Sequence, residues 1–375
     1  MTFIGVLGFI FYRIDPVHLL PYTTGMILLT VLFALFYKKR LHEGHPGILL
    51  YVVMLCVYSF GPLSILLPLW APALLFVAVV FILNANGVIE RFTAGADTYE
   101  FETLGKMVLL SAVILPLLPD EKVIPYIPLS PFKIWLAVVV ISAISYGGYI
   151  TQKYFFPNKG YFLTGLIGGT YSSTATTVVL ARKQKSVGYN PVIEAAIIAA
   201  TSMMYLRLIV VAAIFNFAIA RSLLVPFIVL SFAGLVISVF FLRHSGQEGE
   251  SVGFVDKNPL ELGTAFVFAA LFVIMMMLTQ YVTKHYGSGG LEMLSFLVGF
   301  TDIDPFVLSL LTGKYSVTAL QVTAAIMIAA GSNNLLKALY ALWFGGVRSS
   351  WKAALWIAVL GLLTIGWALK IEHFL

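Results

Sequence analysis

The chain has 375 residues, of which 60% are hydrophobic and only 11% are charged. Soluble globular domains carry about 25% charged residues, so this composition excludes a water-soluble protein and indicates a lipid environment. The formal net charge of +6 comes from basic residues in short loops between apolar segments. That is the positive-inside pattern of membrane proteins, and it argues against a nucleic-acid partner. The single cysteine, Cys56, excludes an intrachain disulfide.

A membrane-spanning helix needs about 20 apolar residues, and about ten segments meet that requirement. They are 18–38, 47–67, 70–89, 103–118, 133–153, 191–217, 222–242, 260–284, 318–343 and 351–370. Residues 3–13 form a further short helix. Ser130, Asn190 and Asn258 each precede a proline, which predicts capped helix starts at those points. We predict an all-α polytopic membrane protein with residues 1–375 as a single transmembrane domain.

An internal repeat becomes visible when the chain is shifted by 130 residues. LTGLIGGTYSSTATTVVL (163–180) then aligns with MLSFLVGFTDIDPFVLSL (293–310) without a gap. Further along, Arg207 aligns with Lys337, and Ser202 aligns with Ser332. The predicted organisation is N-terminal helices over 1–132, repeat one over 133–242 and repeat two over 260–372.

The orientation of segment 160–182 follows from the basic loops at its two ends. If the segment crossed the membrane, those loops would lie on opposite faces, against the positive-inside rule. If it enters and turns back, both loops are cytoplasmic. Three complete spans then separate the repeats, so the equivalent segment 290–312 enters from the other face. We predict an inverted repeat with two interrupted, re-entrant segments, a plan common among secondary transporters.

A helix that breaks inside the bilayer leaves backbone N–H and C=O groups without partners, which costs several kcal/mol for each group unless they are satisfied. Glycine permits the break, and nearby hydroxyls can bind the freed backbone, line water or hold an ion. In the first segment the residues predicted to do this are Gly169, Ser172, Ser173, Thr174, Thr176 and Thr177.

The second segment places Thr301, Asp302 and Asp304 within an apolar run that Pro305 interrupts. A carboxylate in the membrane is costly and is by default a functional-site hypothesis. Asp302 and Asp304 are candidates to coordinate a metal cation together with freed carbonyls, or to carry a proton. The alternative is structural, with Asp304 capping the helix that starts at Pro305 and an ion pair nearby.

Two basic residues lie midway along predicted helices at equivalent repeat positions. Arg207 and Lys337 are candidates to pair with the aspartates or to bind an anionic substrate, although a single helical cation could also snorkel to the interface. GSNNLLK (331–337) adds Ser332, Asn333 and Asn334. Buried amides need partners, so these residues predict a polar lining, and small-residue helix packing is the alternative for 329–332.

These motifs resemble those of the bacterial membrane family catalogued as domain of unknown function 4010, often fused to an MgtC/SapB-type region. The resemblance covers about residues 47–350 and rests on three motifs. The matching residues are Gly168, Gly169, Ser172, Ser173, Thr174, Thr176, Thr177, Thr301, Asp302, Asp304, Ser309, Ser332, Asn333 and Lys337. At Asn334 the family tends to have threonine. The resemblance implies a multi-pass protein of the bacterial inner (cytoplasmic) membrane, and it supports the site more than an activity.

The sequence favours a secondary-active transporter for a small solute, with an anion as one option, or for an inorganic ion, coupled to H⁺ or Na⁺. A channel with the same polar lining, or a non-catalytic scaffold or lipid-handling protein, is the alternative. No nucleotide-binding loop, nucleophile elbow or zinc-protease motif occurs, so we expect neither an enzyme nor a cofactor. The expected partners are the lipid bilayer and the solute, and a homo-oligomer is left open.

Overall fold

The computed structural model describes residues 2–42, 48–85, 98–123, 127, 129–151, 153, 160–243 and 262–373. These residues are almost entirely helical and contain no β-strand. The predicted all-α class is therefore confirmed for this part of the chain. The predicted helix start at Asn258 lies outside these residues.

Seven described helices are long and apolar enough to cross a membrane, which supports a polytopic membrane protein. They are Leu20–Lys38, Pro131–Ile150, Pro191–Phe215, Phe217–Arg243, Gly263–Val298, Ala319–Gly345 and Val347–Ile371. The sequence predicted about ten such helices. The remaining predicted spans correspond to shorter apolar helices, Tyr51–Leu66, Trp70–Val80 and Thr103–Leu117, and the predicted short helix corresponds to Phe3–Ile14.

Residue contacts divide the chain into two compact units, Met1–Pro119 and Asp120–Leu375. The first unit contains α1 (Thr2–Ile14), α2 (Leu20–His42), α3 (Ile48–Leu66), α4 (Trp70–Ala85) and α5 (Thr98–Val108), which continues through a π-helical turn, Leu109–Ile114. Within it, the buried Tyr58 of α3 donates its hydroxyl to the Tyr22 carbonyl of α2, 2.9 Å away. The candidate site lies in the second unit.

The described residues of the second unit form eight further helices. They are α6 (Pro131–Ile150), α7 (Tyr161–Val187), α8 (Pro191–Phe215), α9 (Phe217–Arg243), α10 (Leu262–Val298), α11 (Asp304–Thr312), α12 (Ala319–Gly345) and α13 (Val347–His373). Two predicted caps are confirmed, since Ser130 accepts from the Lys133 amide and Asn190 accepts from the Val192 amide. Helices α9 and α13 begin at Phe217 and Val347, 130 residues apart, in agreement with the sequence offset.

Helix α7 is interrupted at Ser172, where the backbone is extended (φ −156°, ψ 91°). A Cβ built on Gly168 would lie 2.6 Å from Oγ1 of Thr176. In a continuous helix, residues eight positions apart are separated by about 12 Å along the axis. Tyr161 and Leu180, near opposite ends of α7, also pack into one buried cluster with α8. The chain therefore folds back on itself at Ser172.

The first half of α7 packs closely along α8. A Cβ on Gly165 would clash with the Ala196 carbonyl, and one on Gly169 would lie 2.5 Å from the Ala200 carbonyl oxygen. Because both sequences advance together, the first half of α7 runs parallel to α8. Small residues at such crossings let two backbones approach closely without large side chains between them.

Helix α10 also bends, at Gly287, where φ is +60° and ψ is −145°. Its last part ends at Val298, and residues 299–303 form a short non-helical connection before α11. Gly299 in this connection packs against the Ala329 carbonyl and the Ser332 side chain of α12. The second interrupted segment therefore packs against α12 as the first packs against α8.

Helices α8 and α12 are the most enclosed of the long apolar helices, with 61% and 72% of the most apolar part of each buried. They carry Arg207 and Lys337. Large apolar side chains such as Phe232 and Trp343 are instead exposed on outer surfaces. Exposed apolar surface of this extent is expected where lipid is the solvent, and it places the two basic residues in the interior of the unit.

Candidate functional site

The two interrupted segments meet at a cavity of about 770 Å³. The first contributes Ser172, Ser173 and Thr174, and the second contributes Thr301 and both aspartates. The full lining is Ile141, Ser142, Ser145, Tyr171, Ser172, Ser173, Thr174, Met204, Arg207, Gly263, Thr264, Ala265, Val267, Phe268, Leu271, Phe300, Thr301, Asp302, Ile303, Asp304, Asn333, Leu336 and Tyr340. The polar residues lie at the two breaks and on the neighbouring helices, and most of the remaining wall is apolar.

Each break leaves a carbonyl that a side chain of the adjacent long helix satisfies. Arg207 of α8 donates through Nη1 to the Tyr171 carbonyl, 2.8 Å away. Asn333 of α12 donates through Nδ2 to the Thr301 carbonyl at 3.3 Å and to the Gly299 carbonyl at 3.1 Å. Tyr171 and Thr301 are equivalent at the offset of 130. In each half of the repeat, a carbonyl that would otherwise be unpaired in an apolar interior accepts from a side chain. The side chain differs between the two halves.

The residues at the breaks also bind the amides that follow them. Ser172 Oγ accepts from the Ala175 amide at 3.3 Å, and Asp302 Oδ1 accepts from the Asp304 amide at 3.1 Å. Ser172 and Asp302 are again equivalent in the repeat. The sequence offered Asp304 as the structural cap; the structure corrects this, because Asp302 makes the backbone contact. Both half-helices begin at the cavity, with their free amide groups and positive dipole ends near it.

Asp304 is engaged by Arg207. The arginine Nη2 lies 2.6 Å from Oδ1 and 2.8 Å from Oδ2, and the two side chains are only 11% and 13% exposed. Charge-assisted contacts of this kind are the stronger class of protein hydrogen bond. Since both Asp304 oxygens accept from the guanidinium, Asp302 is the carboxylate left accessible at the cavity.

Lys337 has a different environment from its repeat equivalent, Arg207. Its side chain is fully buried, and Nζ lies 2.8 Å from Met204 Sδ and 3.3 Å from Asn334 Oδ1. Asn334 Nδ2 donates to the Tyr205 hydroxyl, which hydrogen-bonds to Thr364 Oγ1, each at 2.7 Å. Among the described residues, no carboxylate forms an ion pair with Lys337.

The structure brings together eight of the fourteen residues singled out from the sequence. Those lining the cavity are Ser172, Ser173, Thr174, Arg207, Thr301, Asp302, Asp304 and Asn333. Six others lie behind the wall: Gly169, Thr176, Thr177, Ser332, Asn334 and Lys337. Gly169 packs against α8, and Thr177 Oγ1 donates to the Ser173 carbonyl at 2.8 Å. Their positions are explained by helix packing and by support of the polar wall.

Several contributors were not singled out from the sequence. Ser142 and Ser145 line the cavity from α6, and Met204 lines it one turn before Arg207. Tyr205 links Asn334 to α13. A tyrosine directly before a polar break, or close to an intramembrane arginine, can be recognised from the sequence as a candidate site residue. A serine on an apolar helix is too common to identify a lining position.

A metal site built only from acidic and histidine side chains has little support in the described part of the chain, where no group of three or more His, Cys, Asp or Glu residues is close enough to hold an ion. A cation near Asp302 would therefore need hydroxyl and carbonyl ligands as well. The paired metal role predicted for Asp302 and Asp304 stays a prediction, with Asp304 already occupied by Arg207.

Comparison with known proteins gives a family. The sequence pattern described as "Domain of unknown function (DUF4010)" matches residues 139–345, more than half of the chain. The chain belongs to this family. An "Uncharacterized protein" of Aquifex aeolicus (strain VF5) is 32% identical to this DUF4010 member over 196 residues, which is 50% of this chain and 83% of the relative. No solved structure matches. The family match includes both breaks, Arg207 and Lys337, and the MgtC/SapB association stays a prediction.

Proposed function

We propose that this DUF4010 protein is a secondary-active transporter that moves a small anionic solute or inorganic ion through the cavity between two inverted repeats. The observation that carries the proposal is the meeting of two interrupted segments, one from each half of the repeat, around one polar cavity. Irregular backbone at membrane depth is tolerated where it lines such a cavity. The proposed setting is the bacterial inner membrane.

The helix order supports an inverted arrangement. Helix α6 crosses once, and α7 folds back at Ser172 and returns to the face from which it started. Helices α8 and α9 then cross twice more. Three crossings separate the start of α6 from the start of α10, so α10 crosses in the opposite direction to α6. The segment that follows its bend at Gly287 and ends in α11 is therefore re-entrant from the face opposite to the one that α7 enters. Opposed re-entrant segments place the two breaks at similar depth, as in several transporter folds.

The cavity offers groups for both charge signs. The N-termini of the second half of α7 and of α11 provide free amides and positive dipole ends, with Arg207 beside them, and these favour an anionic group. The accessible Asp302 carboxylate, with hydroxyls such as those of Ser172 and Thr301, favours a coupling cation or proton. A site with both features is suited to coupled transport, in which two ions of opposite sign bind together.

The contact between Arg207 and Asp304 is the proposed control point of alternating access. Arg207 belongs to repeat one and Asp304 to repeat two, so the pair joins the halves that must move against each other. Competition between a bound anion and Asp304 for the guanidinium would loosen this connection. The rest of each repeat moves as a packed body in this mechanism.

The experiment is a ligand screen followed by flux measurement. Purified protein is tested for thermal stabilisation by chloride, nitrate, sulfate, phosphate and small carboxylates, each with Na⁺ or with a bulky organic cation. Any stabilising pair is then assayed for uptake into proteoliposomes. We expect saturable uptake that depends on a gradient of Na⁺ or of H⁺ in the wild type, and loss of both stabilisation and uptake in Asp302→Asn.

Glu121→Gln is the matched control, because it removes an exposed carboxylate outside the cavity. It should behave as the wild type does. Current that rises linearly with voltage and does not saturate with ion concentration would favour the channel alternative. Normal ligand stabilisation and uptake in Asp302→Asn would contradict the assigned site.

A further inference from the structure

Lys337 is a buried amine that the proposed transport site does not yet use. It is the repeat equivalent of Arg207, at an offset of 130 residues. The equivalent of Asp304, the partner of Arg207, is Thr174. A hydroxyl has replaced the carboxylate, so the second basic residue lacks the counter-charge that the first one has. The sequence difference accounts for the unpaired Lys337 in the structure.

The contacts of Nζ match a neutral amine. A neutral lysine has two N–H donors, whereas the ammonium has three. The structure supplies two acceptors, Met204 Sδ and Asn334 Oδ1, on a side chain with no exposed surface. A buried ammonium with no carboxylate partner and an unsatisfied donor would be strongly disfavoured. Two acceptors and full burial therefore suit a neutral amine better than an ammonium.

The charged groups that face Lys337 are Arg207 from α8 and Asp304 from α11, with the Tyr205 hydroxyl reached through Asn334. A protonated Lys337 would be attracted to the Asp304 carboxylate. Both oxygens of that carboxylate now accept from Arg207. Met204 and Asn333, which lie beside Lys337 on α8 and α12, form part of the cavity wall. The proton would thus reach Lys337 by way of the cavity and would act on the contact that joins the repeats.

We propose that Lys337 is the proton carrier of the transport cycle, so that H⁺ is the coupling ion. It takes up a proton from water when the cavity opens to one side, competes with Arg207 for Asp304, and releases the proton to the other side. The release of Arg207 coincides with binding of the anion to its guanidinium. This inference rests on the proposed transport function and names its coupling ion.

The test measures solute and protons separately in one set of proteoliposomes. Vesicles that contain a pH-sensitive dye receive an inward gradient of chloride, nitrate, sulfate or phosphate, and the solute that enters is quantified by ion chromatography. In the wild type, we expect uptake of one of these anions together with a change in internal pH. In Lys337→Met and Lys337→Gln, the pH change for each anion taken up should fall at least about tenfold, whereas Lys370→Met, at an exposed lysine, should leave it unchanged.

An equal ratio of protons to anions in the wild type and both Lys337 variants would overturn the proton-carrier role and leave the transport function standing. Absence of anion uptake in all proteins would count against transport itself. In that case, the melting temperature measured as a function of pH tests whether Lys337 is neutral in the folded protein. An amine that is neutral when folded and protonated when unfolded makes stability rise with pH up to about pH 10. The wild-type curve should rise more steeply than that of Lys337→Met, and parallel curves would refute a neutral Lys337.

Discussion

Arg207 and Asp304 lie on different halves of the internal repeat, 97 residues apart in sequence, and form a largely buried two-point contact. Arg207 also holds the Tyr171 carbonyl at the first break. One side chain therefore satisfies the interrupted backbone of its own half and the carboxylate of the other. This shared role makes the pair the most informative target for mutation.

Removal of one partner of the pair should be strongly destabilising. Arg207→Met or Asp304→Asn leaves a buried group without its partner, and we expect a loss of about 3–5 kcal/mol. The double variant should lose less than the sum of the two single losses, because no unpaired charge is left behind. Thermal unfolding of the purified protein in detergent, analysed as a double-mutant cycle, measures the coupling. Strictly additive losses would show that the two side chains are not energetically coupled.

The close packing of α7 on α8 predicts a steric effect at Gly169. Gly169→Ala puts a Cβ 2.5 Å from the Ala200 carbonyl oxygen, so two backbones must separate, at a cost of about 1–3 kcal/mol. Gly147→Ala is the matched control, because nothing lies within 4 Å of its Cβ position on α6. That change should stabilise the helix by about 0.5–1 kcal/mol. Equal melting temperatures for the two variants would mean that the α7 and α8 crossing is looser than described.

The bend in α10 predicts a backbone effect at Gly287. Its φ of +60° with ψ of −145° is a conformation available almost only to glycine. Gly287→Ala should cost about 1–3 kcal/mol, although no atom obstructs the new methyl group. Gly289→Ala, two residues later in helical backbone and in equally open space, should be neutral or slightly stabilising. Comparison of unfolding temperatures separates strain from packing, and a neutral Gly287→Ala would argue against the sharp bend.

The hydroxyl of Tyr205 links Asn334 of α12 to Thr364 of α13. Tyr205→Phe keeps the ring and leaves the buried Asn334 Nδ2 without an acceptor, so we expect a loss of about 1–3 kcal/mol. Tyr281→Phe removes an exposed hydroxyl and should change the melting temperature little. If the two variants melt alike, the hydrogen bond to Asn334 contributes nothing to stability.

Much of the site could be predicted because a break in an apolar helix is a local event. The glycine–serine run before Ala175 and the TDID sequence before Pro305 identify both breaks, and each lies at the cavity. The two caps at Ser130 and Asn190 were equally local. Each of the ten predicted spans overlaps a described helix, and seven of these helices are long and apolar enough to cross a membrane.

The sequence by itself determined that lipid is the solvent, that the chain is helical, and where the helices break, because composition, glycine and proline act on neighbouring residues. Only the tertiary structure decided that Asp304 binds Arg207, that Asp302 accepts from the Asp304 amide, and that Lys337 has no carboxylate ion-pair partner among the described residues. The physical reason is that neither α8 nor α12 has its polar residues gathered on one side. Without a polar stripe, helix rotation is set by contacts between residues about a hundred positions apart, which no local pattern records.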